Sequence, residues 1–260
     1  QRGDRFPKNL LKMCNRPKFF WATELVSRNR DQDALLKSNI FNHIFVRSND
    51  CKKRVIKNCW ASTDHISVML GGFDKKLHHK EHMAKDIDIL FVGSMLPRRE
   101  SIIRKLSSQF HIEVCSVFGK EMSLLFNRSK IVLNIHAEEF LDTETRIYEA
   151  LGCGAFVISE KLSSENPFIS GKHLLEVNSI DEMKSQIEYY LKHSDERKQI
   201  ALQGHTQALF SHSYETRAKE FIEIFNKFEW EKTQLPFNYR RLKIHSFFEN
   251  IKNGVRAGIN

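Results

Sequence analysis

One stretch decides the fold of this chain: Glu144-Thr145-Arg146-Ile147-Tyr148-Glu149-Ala150-Leu151-Gly152-Cys153-Gly154-Ala155-Phe156-Val157-Ile158. Its first half predicts a helix with Thr143 as N-cap and Glu144 in the first turn. We expect Gly152 and Gly154 to end that helix, since glycine turns at positive φ without steric cost. The apolar run over 155–158 predicts a buried strand.

Arg146 and Glu149 are three positions apart and therefore share one face of the predicted helix. An arginine at a helix N-terminus suits a phosphate, and a carboxylate close by suits sugar hydroxyls. The alternative is an ordinary surface ion pair.

Composition sets the class of protein. The chain has 260 residues, 41% hydrophobic and 28% charged, which is typical of a globular protein with a sizeable core. No run approaches 18 apolar residues, and the N-terminus shows no signal-peptide pattern. The first residue is not methionine, which suggests a processed or excised fragment.

The cysteines and the net charge indicate the compartment and the kind of partner. The five cysteines are scattered and form no metal-ligand spacing, which favours a reducing, cytoplasmic compartment. The net charge of +9 suits a polyanionic partner: a nucleotide diphosphate, an anionic glycan, a membrane surface or nucleic acid.

Strand and helix patterns alternate along the chain. After an irregular segment 1–17, strands are expected over 18–22, 41–46, 65–70, 88–92, 112–117, 131–135, 155–158 and 174–177. Helices are expected over 31–38, 48–60, 98–108, 120–128, 144–152, 181–193, 195–206 and 214–228. This alternation predicts an α/β fold with a doubly wound parallel sheet, which binds ligands at the carboxyl ends of its strands.

Four segments follow from this pattern. We predict a short or truncated α/β N-terminal domain over 1–78, a linker over 79–86, a Rossmann-like domain over 87–228 and a basic aromatic tail over 229–260. The tail is predicted to pack back on the body as a helix or to contact lipid or another chain. His78, His79 and His82 are interpreted as linker histidines, and the pair Asp86 and Asp88 is discounted as a metal motif because it opens a strand.

Several motifs of the second half resemble GT-B glycosyltransferases. These motifs are 88–94 with Arg98 and Arg99, then 132–134, the Arg146-x-x-Glu149-Ala150 run, and Gly152-Cys153-Gly154. The pattern is most similar to the "glycosyl transferases group 1" branch that includes spore-maturation-type proteins. One position departs from it, since Leu141 stands where the family's first glutamate would lie.

The resemblance implies transfer of a sugar from a nucleotide-sugar donor, such as a UDP- or GDP-sugar, to a glycan or lipid-linked acceptor. It places Glu149 on the ribose and Arg146, with Arg98 or Arg99, on the diphosphate, and it implies no metal. The glycine-bearing strand ends converge on the same crevice. The expected donor contacts are Gly93, Ser94, Arg98, Arg99, Phe118, Gly119, Thr145, Arg146 and Glu149.

Candidate catalytic residues are Glu24, His136 and Asp142. Glu24 follows the first strand of the acceptor half, whereas His136 and the acidic loop 138–144 follow the strand over 131–135. The loop's alternative role is to cap the next helix.

Two alternative functions remain for the chain. The first is a non-catalytic protein that binds a nucleotide sugar or glycan, or that scaffolds a larger enzyme. The second is a nucleic-acid-binding protein. Against the latter, the sequence holds no Gly-x-Gly-x-x-Gly, P-loop or RNA-binding signature.

Overall fold

The computed structural model describes residues 8–14, 16–27, 30–138, 141 and 143–227. Two compact units divide them: residues up to Met69 together with those from Ile224 onward, and Leu70–Glu223. The predicted tail 229–260 lies outside the described residues.

The first unit contains a three-stranded parallel sheet in the order β1-β2-β3. Its elements are α1 (Lys8–Met13), β1 (Phe19–Trp21), α2 (Arg30–Leu36), β2 (His43–Val46), α3 (Asn49–Lys57), a 3₁₀ turn (Thr63–His65) and β3 (Ile66–Val68). The segment 1–17 was expected to be irregular, but α1 forms within it. That expectation was wrong because a run of six residues carries too little periodicity to reveal a short helix.

The second unit contains a five-stranded parallel sheet. Its strands are β4 (Ile87–Val92), β5 (Glu113–Cys115), β6 (Ser129–Asn134), β7 (Val157–Glu160) and β8 (Leu175–Val177). Its helices are α4 (Pro97–Ser107), α5 (Gly119–Arg128), α6 (Thr145–Gly152), α7 (Ile180–Lys192), α8 (Ser194–Ser211) and, as far as Glu223, α9 (Tyr214–Phe225). None of the described helices combines the length and apolarity needed to cross a membrane.

Apolar residues cover both faces of this second sheet. Leu90 and Val92 of β4 face a cluster that includes residues of α5 and α6, whereas Ile89 and Phe91 face residues of α4 and α7. Because both faces of the sheet are buried, the sequences of its strands are continuous apolar runs. The arrangement confirms the predicted doubly wound parallel sheet.

Gly152 and Gly154, at the end of α6, are glycines for different reasons. Of the two glycines only Gly154 has a positive φ, +70°. A Cβ on Gly152 would lie 2.4 Å from the ring of Phe73, so this glycine is required by packing. The prediction of a positive φ there was wrong because the pattern could not show that Phe73, 79 positions earlier, packs against the last turn of α6.

The start of α6 also differs from expectation. Glu144 is the N-cap residue, and the hydroxyl of Thr143 lies 3.3 Å from that of Ser163. The Glu144 side chain makes no capping hydrogen bond because it contacts other charged groups. Thr143 is therefore not the N-cap.

Candidate functional site: a crevice at the carboxyl ends of β4 and β6

The candidate site lies where the chain changes direction in the second sheet. The strand order is β5-β4-β6-β7-β8, so the chain leaves β4 toward one edge and β6 toward the other. The carboxyl ends of such neighbouring strands frame a crevice in doubly wound sheets. Gly93 and Ser94 follow β4, and Ile135 and His136 follow β6.

Gly93 allows a guanidinium to approach the backbone. Its φ is +154°, and a Cβ there would lie 2.8 Å from Nη2 of Arg146. Its amide donates to the carbonyl of Cys115 at the end of β5, which fixes the loop. Glycine is therefore needed here because any side chain would displace Arg146.

Arg99 is a buried connector across the crevice. Its Nε donates to the carbonyl of Ile135 at 2.8 Å and its Nη1 to the carbonyl of Ser94 at 3.3 Å. Its Nη2 donates to both carboxylate oxygens of Glu144 at 3.1 Å. Arg99 thus ties the ends of β4 and β6 to the start of α6.

Glu144 is the centre of the ionic cluster. Besides Arg99, its carboxylate accepts from Nη1 of Arg146 at 3.2 Å and lies 3.6 Å from Nδ1 of His136. Burial alone would raise the pKa of Glu144, but His136, Arg146 and Arg99 together lower it to about 2. The residue is therefore a fixed anion that orients Arg146.

Arg98 and Glu160 form a second pair beside the first. The Nη1 and Nη2 atoms of Arg98 donate to the two carboxylate oxygens of Glu160 at 2.8 and 2.6 Å, and Nη1 also donates to the carbonyl of His136 at 3.0 Å. Glu160 accepts from the His136 amide at 2.7 Å. Burial raises the pKa of Glu160, but Arg98 and that amide hold it below its usual value.

His136 lies inside the cluster. It is buried, and its Nε2 lies 2.9 Å from the carbonyl of Lys161. Burial lowers its pKa, but Glu144, that carbonyl and Glu160 outweigh burial and raise the pKa above its usual value. The predicted catalytic role of His136 stays a prediction.

Arg146 is the arginine of the crevice with the fewest protein acceptors. Its side chain is 15% exposed and its Cζ lies 5.5 Å from the ring centre of Phe91, with Glu144 as its carboxylate partner. Arg98 and Arg99 each donate three or more hydrogen bonds to protein oxygens. Arg146, in the first turn of α6, is thus the guanidinium best placed to meet an anion.

Glu149 lies one turn further along α6. It is mostly buried, and burial raises its pKa to about 7 although Arg146 lowers it. Its Oε1 lies 4.0 Å from Nε2 of His78, which is buried. His78 was interpreted as a linker histidine. The structure instead places it within the second unit, whereas His79 and His82 are exposed.

The aromatic ring of Phe118 lies in the loop that follows β5. Phe118 is the N-cap residue of α5 and is 80% exposed. The next residue, Gly119, has a φ of +64° and an open surrounding. Since Gly93 pairs with Cys115, the loop that carries Phe118 leaves the sheet next to the loop that carries Gly93.

A family model and several known proteins match this chain. The model described as "Glycosyl transferase-like" matches residues 78–223, more than half of the 260 residues. The chain belongs to this glycosyl transferase-like family. An uncharacterized protein of Acanthamoeba polyphaga mimivirus is 29% identical over 153 residues, which cover 55% of this chain. That match spans 50% of the relative's own length.

Solved structures share the fold of this glycosyl transferase-like chain. HepE from Anabaena, in complex with UDP-glucose, is similar with a TM-score of 0.65 and 12% identity over 82% of this chain and 73% of its own. Sucrose-phosphate synthase from Thermosynechococcus elongatus is similar with a TM-score of 0.62 and 12% identity over 85% of this chain and 70% of its own. These likenesses confirm the predicted GT-B fold.

The structure brings most of the predicted site residues of this glycosyl transferase-like chain into one crevice. Gly93, Arg98, Arg99, Arg146 and His136 are joined there by the contacts described above. Thr145 begins α6, and Ser94 contributes its carbonyl to Arg99. That these residues contact a nucleotide-sugar donor stays a prediction.

Two predicted catalytic residues stand apart from this cluster. Asp142 lies outside the described residues. Glu24 belongs to the first unit, where the side-chain amide of Gln32 accepts from its backbone N–H at 3.0 Å and donates to its carbonyl at 2.9 Å. Its catalytic role also stays a prediction.

Two residues of the site were missed by sequence reasoning. Glu160 lies two positions after the apolar run over 155–158, so its place near a strand end was a usable signal. His78 offered none, because its burial depends on contacts made by the residues around it.

Asp86 and Asp88 are engaged in ion pairs. Asp86 accepts from Arg128 at 2.6 Å, and Asp88 accepts from Lys130 at 2.5 Å. In the part of the chain that the structure describes, no cluster of three or more His, Cys, Asp or Glu side chains is arranged to hold a metal ion.

Proposed function

We propose that this chain binds a nucleotide sugar in the crevice at the carboxyl ends of β4 and β6 and transfers its sugar to an acceptor. One observation carries the proposal: the Arg146 guanidinium packs over Gly93 at the N-terminus of α6, with Glu149 one turn further on. A cation, a helix N-terminus and a carboxylate are thereby arranged in the order in which a nucleoside diphosphate presents phosphate and ribose.

The diphosphate is proposed to meet Arg146 and the first turn of α6. Glu144 does not cap the helix with its side chain, so the amides of Thr145 and Arg146 have no side-chain acceptor among the described residues. Phosphate oxygens can accept from these amides and from the guanidinium. The same groups stabilise the charge that develops on the leaving nucleoside diphosphate during transfer.

Arg98, Arg99 and Ser94 take a supporting part in this proposal. The two guanidinium groups already contact carboxylates, and the Ser94 carbonyl already accepts from Arg99. We propose that they hold Gly93 and Arg146 in place. Direct contact of Arg98 or Arg99 with the diphosphate, as the resemblance implies, is the alternative.

The ribose is proposed to meet Glu149, and the base to meet Phe118. An ionised carboxylate accepts from both ribose hydroxyls. The exposed ring of Phe118 offers a stacking face for a base, and Gly119 leaves its approach open. UDP-glucose is the first donor to test because it is bound in the similar HepE structure. A GDP-sugar is the second.

Metal independence is part of the proposal. Counter-charge for the diphosphate comes from Arg146 and the N-terminus of α6, so no divalent cation is required for binding. We expect UDP-glucose affinity and turnover to survive a chelator. Loss in chelator that manganese or magnesium restores would contradict this part.

The acceptor is proposed to be a glycan or a lipid-linked saccharide. The net charge of +9 suits an anionic acceptor or a membrane surface. We propose that the tail over 229–260 makes this contact and that no nucleic acid is bound.

Other domains of a larger protein are further proposed partners. Membership of the spore-maturation-type branch is proposed from the sequence motifs. The cysteines of the chain are free thiols, which supports a cytoplasmic location.

A two-step experiment tests the function. Thermal unfolding is first followed with UDP, GDP, ADP and their sugar conjugates, since a ligand that binds the folded state raises its melting temperature. Release of the nucleoside diphosphate is then measured with acceptor mixtures. Binding with turnover supports the transferase. Binding without turnover identifies a non-catalytic member of the fold, and no binding contradicts the proposal.

A further inference from the structure

His78 is a buried histidine that the proposed donor contacts do not use. Its side chain is 5% exposed, and neither ring nitrogen has a hydrogen-bond partner among the described residues. A buried polar group without a partner costs free energy. Such a group is therefore expected to gain a partner in some state of the protein.

The residues that precede His78 in the chain are held in place. The His78 amide donates to the carbonyl of Asp74 at 2.7 Å. Phe73 is fully buried, pairs with Ser213 through the backbone and packs against Gly152 at the end of α6. The turn that carries His78 is therefore anchored to the helix that carries Glu149.

The residues that follow His78 are anchored as well. The side-chain amide of Asn127 donates to the carbonyl of His79 at 2.9 Å and accepts from the Glu81 amide at 2.7 Å. Lys80 packs against Gly154, whose added Cβ would lie 3.0 Å from the lysine side chain. The imidazole is thus held against α6 from both sides.

Glu149 is the acceptor within reach. Its Oε1 lies 4.0 Å from Nε2 of His78, and its carboxylate has no hydrogen bond to another described residue. A movement of about 1 Å brings the two atoms to hydrogen-bond distance. A change of side-chain torsion in Glu149 alone covers that distance.

We propose that His78 is a positioning residue for Glu149: its Nε2–H donates to Oε1 once the carboxylate is ionised, which leaves Oε2 directed to the ribose. This inference rests on the proposed function, because it assigns Glu149 to the ribose. The proton stays on the imidazole throughout, so the step is a hydrogen bond and involves no transfer.

The surrounding charges agree with a neutral imidazole. Burial lowers the pKa of His78, with Asp74 raising it and His79 lowering it. Burial, and after it Glu149, raise the pKa of Tyr214. Burial raises the pKa of Glu149 itself to about 7, although Arg146 acts to lower it. The titratable and charged groups that face the pair are Asp74, His79, Arg146, Cys153 and Tyr214.

Two variants separate the hydrogen bond from packing. His78→Phe keeps a planar ring and removes the donor, whereas His78→Gln keeps a donor near the position of Nε2. His79→Phe is the matched control, because His79 is the adjacent histidine and is 52% exposed. All are made in the full chain and compared with it in melting temperature.

The first measurement needs no ligand. The Glu149 carboxyl is titrated by carbon NMR, and loss of a donor to the ionised form is expected to raise its midpoint by about one pH unit in His78→Phe. His78→Gln is expected to restore the midpoint and His79→Phe to leave it unchanged. An unchanged midpoint in His78→Phe overturns the inference, whatever the ligand data show.

The second measurement uses UDP-glucose and inorganic pyrophosphate. His78→Phe is expected to bind UDP-glucose about tenfold more weakly, the scale of a hydrogen bond to a charged group, and to bind pyrophosphate as the parent does. Equal UDP-glucose affinity in the parent and His78→Phe overturns the inference. If the midpoint shifts in His78→Phe but the parent binds no nucleoside diphosphate, the His78–Glu149 hydrogen bond is supported and the proposed function is overturned instead.

Discussion

The Nη2 atom of Arg99 lies 3.1 Å from both carboxylate oxygens of Glu144, joining α4 to the N-cap residue of α6 across 45 positions of sequence. Both side chains are mostly buried, at 6% and 18% exposure. Removing one partner of a buried pair leaves the other charge uncompensated.

Glu144→Gln is therefore expected to lower the free energy of unfolding by about 3 kcal/mol. Urea unfolding measures the change. Glu188→Gln is the control, since Glu188 forms an exposed pair with Lys192 and solvent screening leaves such a pair little effect on stability. Equal effects of the two substitutions would contradict the role of Glu144.

The effect of Glu144 depends on pH with a defined sign. The folded state lowers the pKa of Glu144 from 4.5 to about 2, so its stabilisation is present above the unfolded value and is lost as the pH falls toward the folded value. The stability difference between the parent and Glu144→Gln should shrink between pH 4.5 and about pH 2. A difference that stays constant across this window would show that the carboxylate charge is not what stabilises the fold.

Arg146→Lys is expected to weaken UDP-glucose binding at least tenfold, about 1.4 kcal/mol, because a lysine cannot present two parallel donors to a phosphate. Calorimetry measures the affinity. Arg104→Lys is the control, since Arg104 is 77% exposed on α4 and pairs with Glu100. Parental affinity in Arg146→Lys would leave Arg146 as an ion-pair partner of Glu144 only.

Phe118→Ala is expected to cost roughly 1–3 kcal/mol in UDP-glucose affinity, the scale of stacking one base on an aromatic ring. Affinity for pyrophosphate should not change, because pyrophosphate has no base. Phe210→Ala removes an equally exposed ring from α8 and serves as the control. If both phenylalanines can be replaced without loss, the base lies elsewhere.

Glu149→Gln is expected to weaken UDP-glucose binding by roughly 1–3 kcal/mol and to flatten its pH profile. Burial raises the pKa of Glu149 to about 7, so the fraction of the ionised form, which is proposed to accept from ribose, grows as the pH rises through neutrality. Parental affinity should therefore increase with pH across this range. Calorimetry over a pH series tests both points, and a falling parental profile would contradict the assignment.

Gly152→Ala is expected to destabilise the protein by about 3 kcal/mol, because the added methyl meets the ring of Phe73 at 2.4 Å. Gly171→Ala is the contrasting variant: its φ is +77° and nothing lies near its Cβ, so only about 1 kcal/mol of backbone strain is expected. Thermal unfolding ranks the two. The reverse order would mean that Phe73 can move away from the added methyl group and that packing does not require glycine at position 152.

The sequence by itself determined the order of the elements and the parallel sheet. Apolar runs flanked by glycine and polar segments are local signals, and they predicted each described strand of the second unit to within a few residues. The position of Arg146 and Glu149 on one face of α6 was visible for the same reason, since helical spacing is local. The carboxyl-end rule for doubly wound sheets then located the crevice.

Only the tertiary structure decided what surrounds those residues. The contacts of Arg99 with Glu144 and of Arg98 with Glu160 join positions 45 and 62 apart, and no local pattern encodes such distances. The burial of His78 beside Glu149 and the contact of Phe73 with Gly152 are equally long-range. Periodicity reports which face of an element is apolar, whereas the partner of a buried charge depends on how separate elements pack.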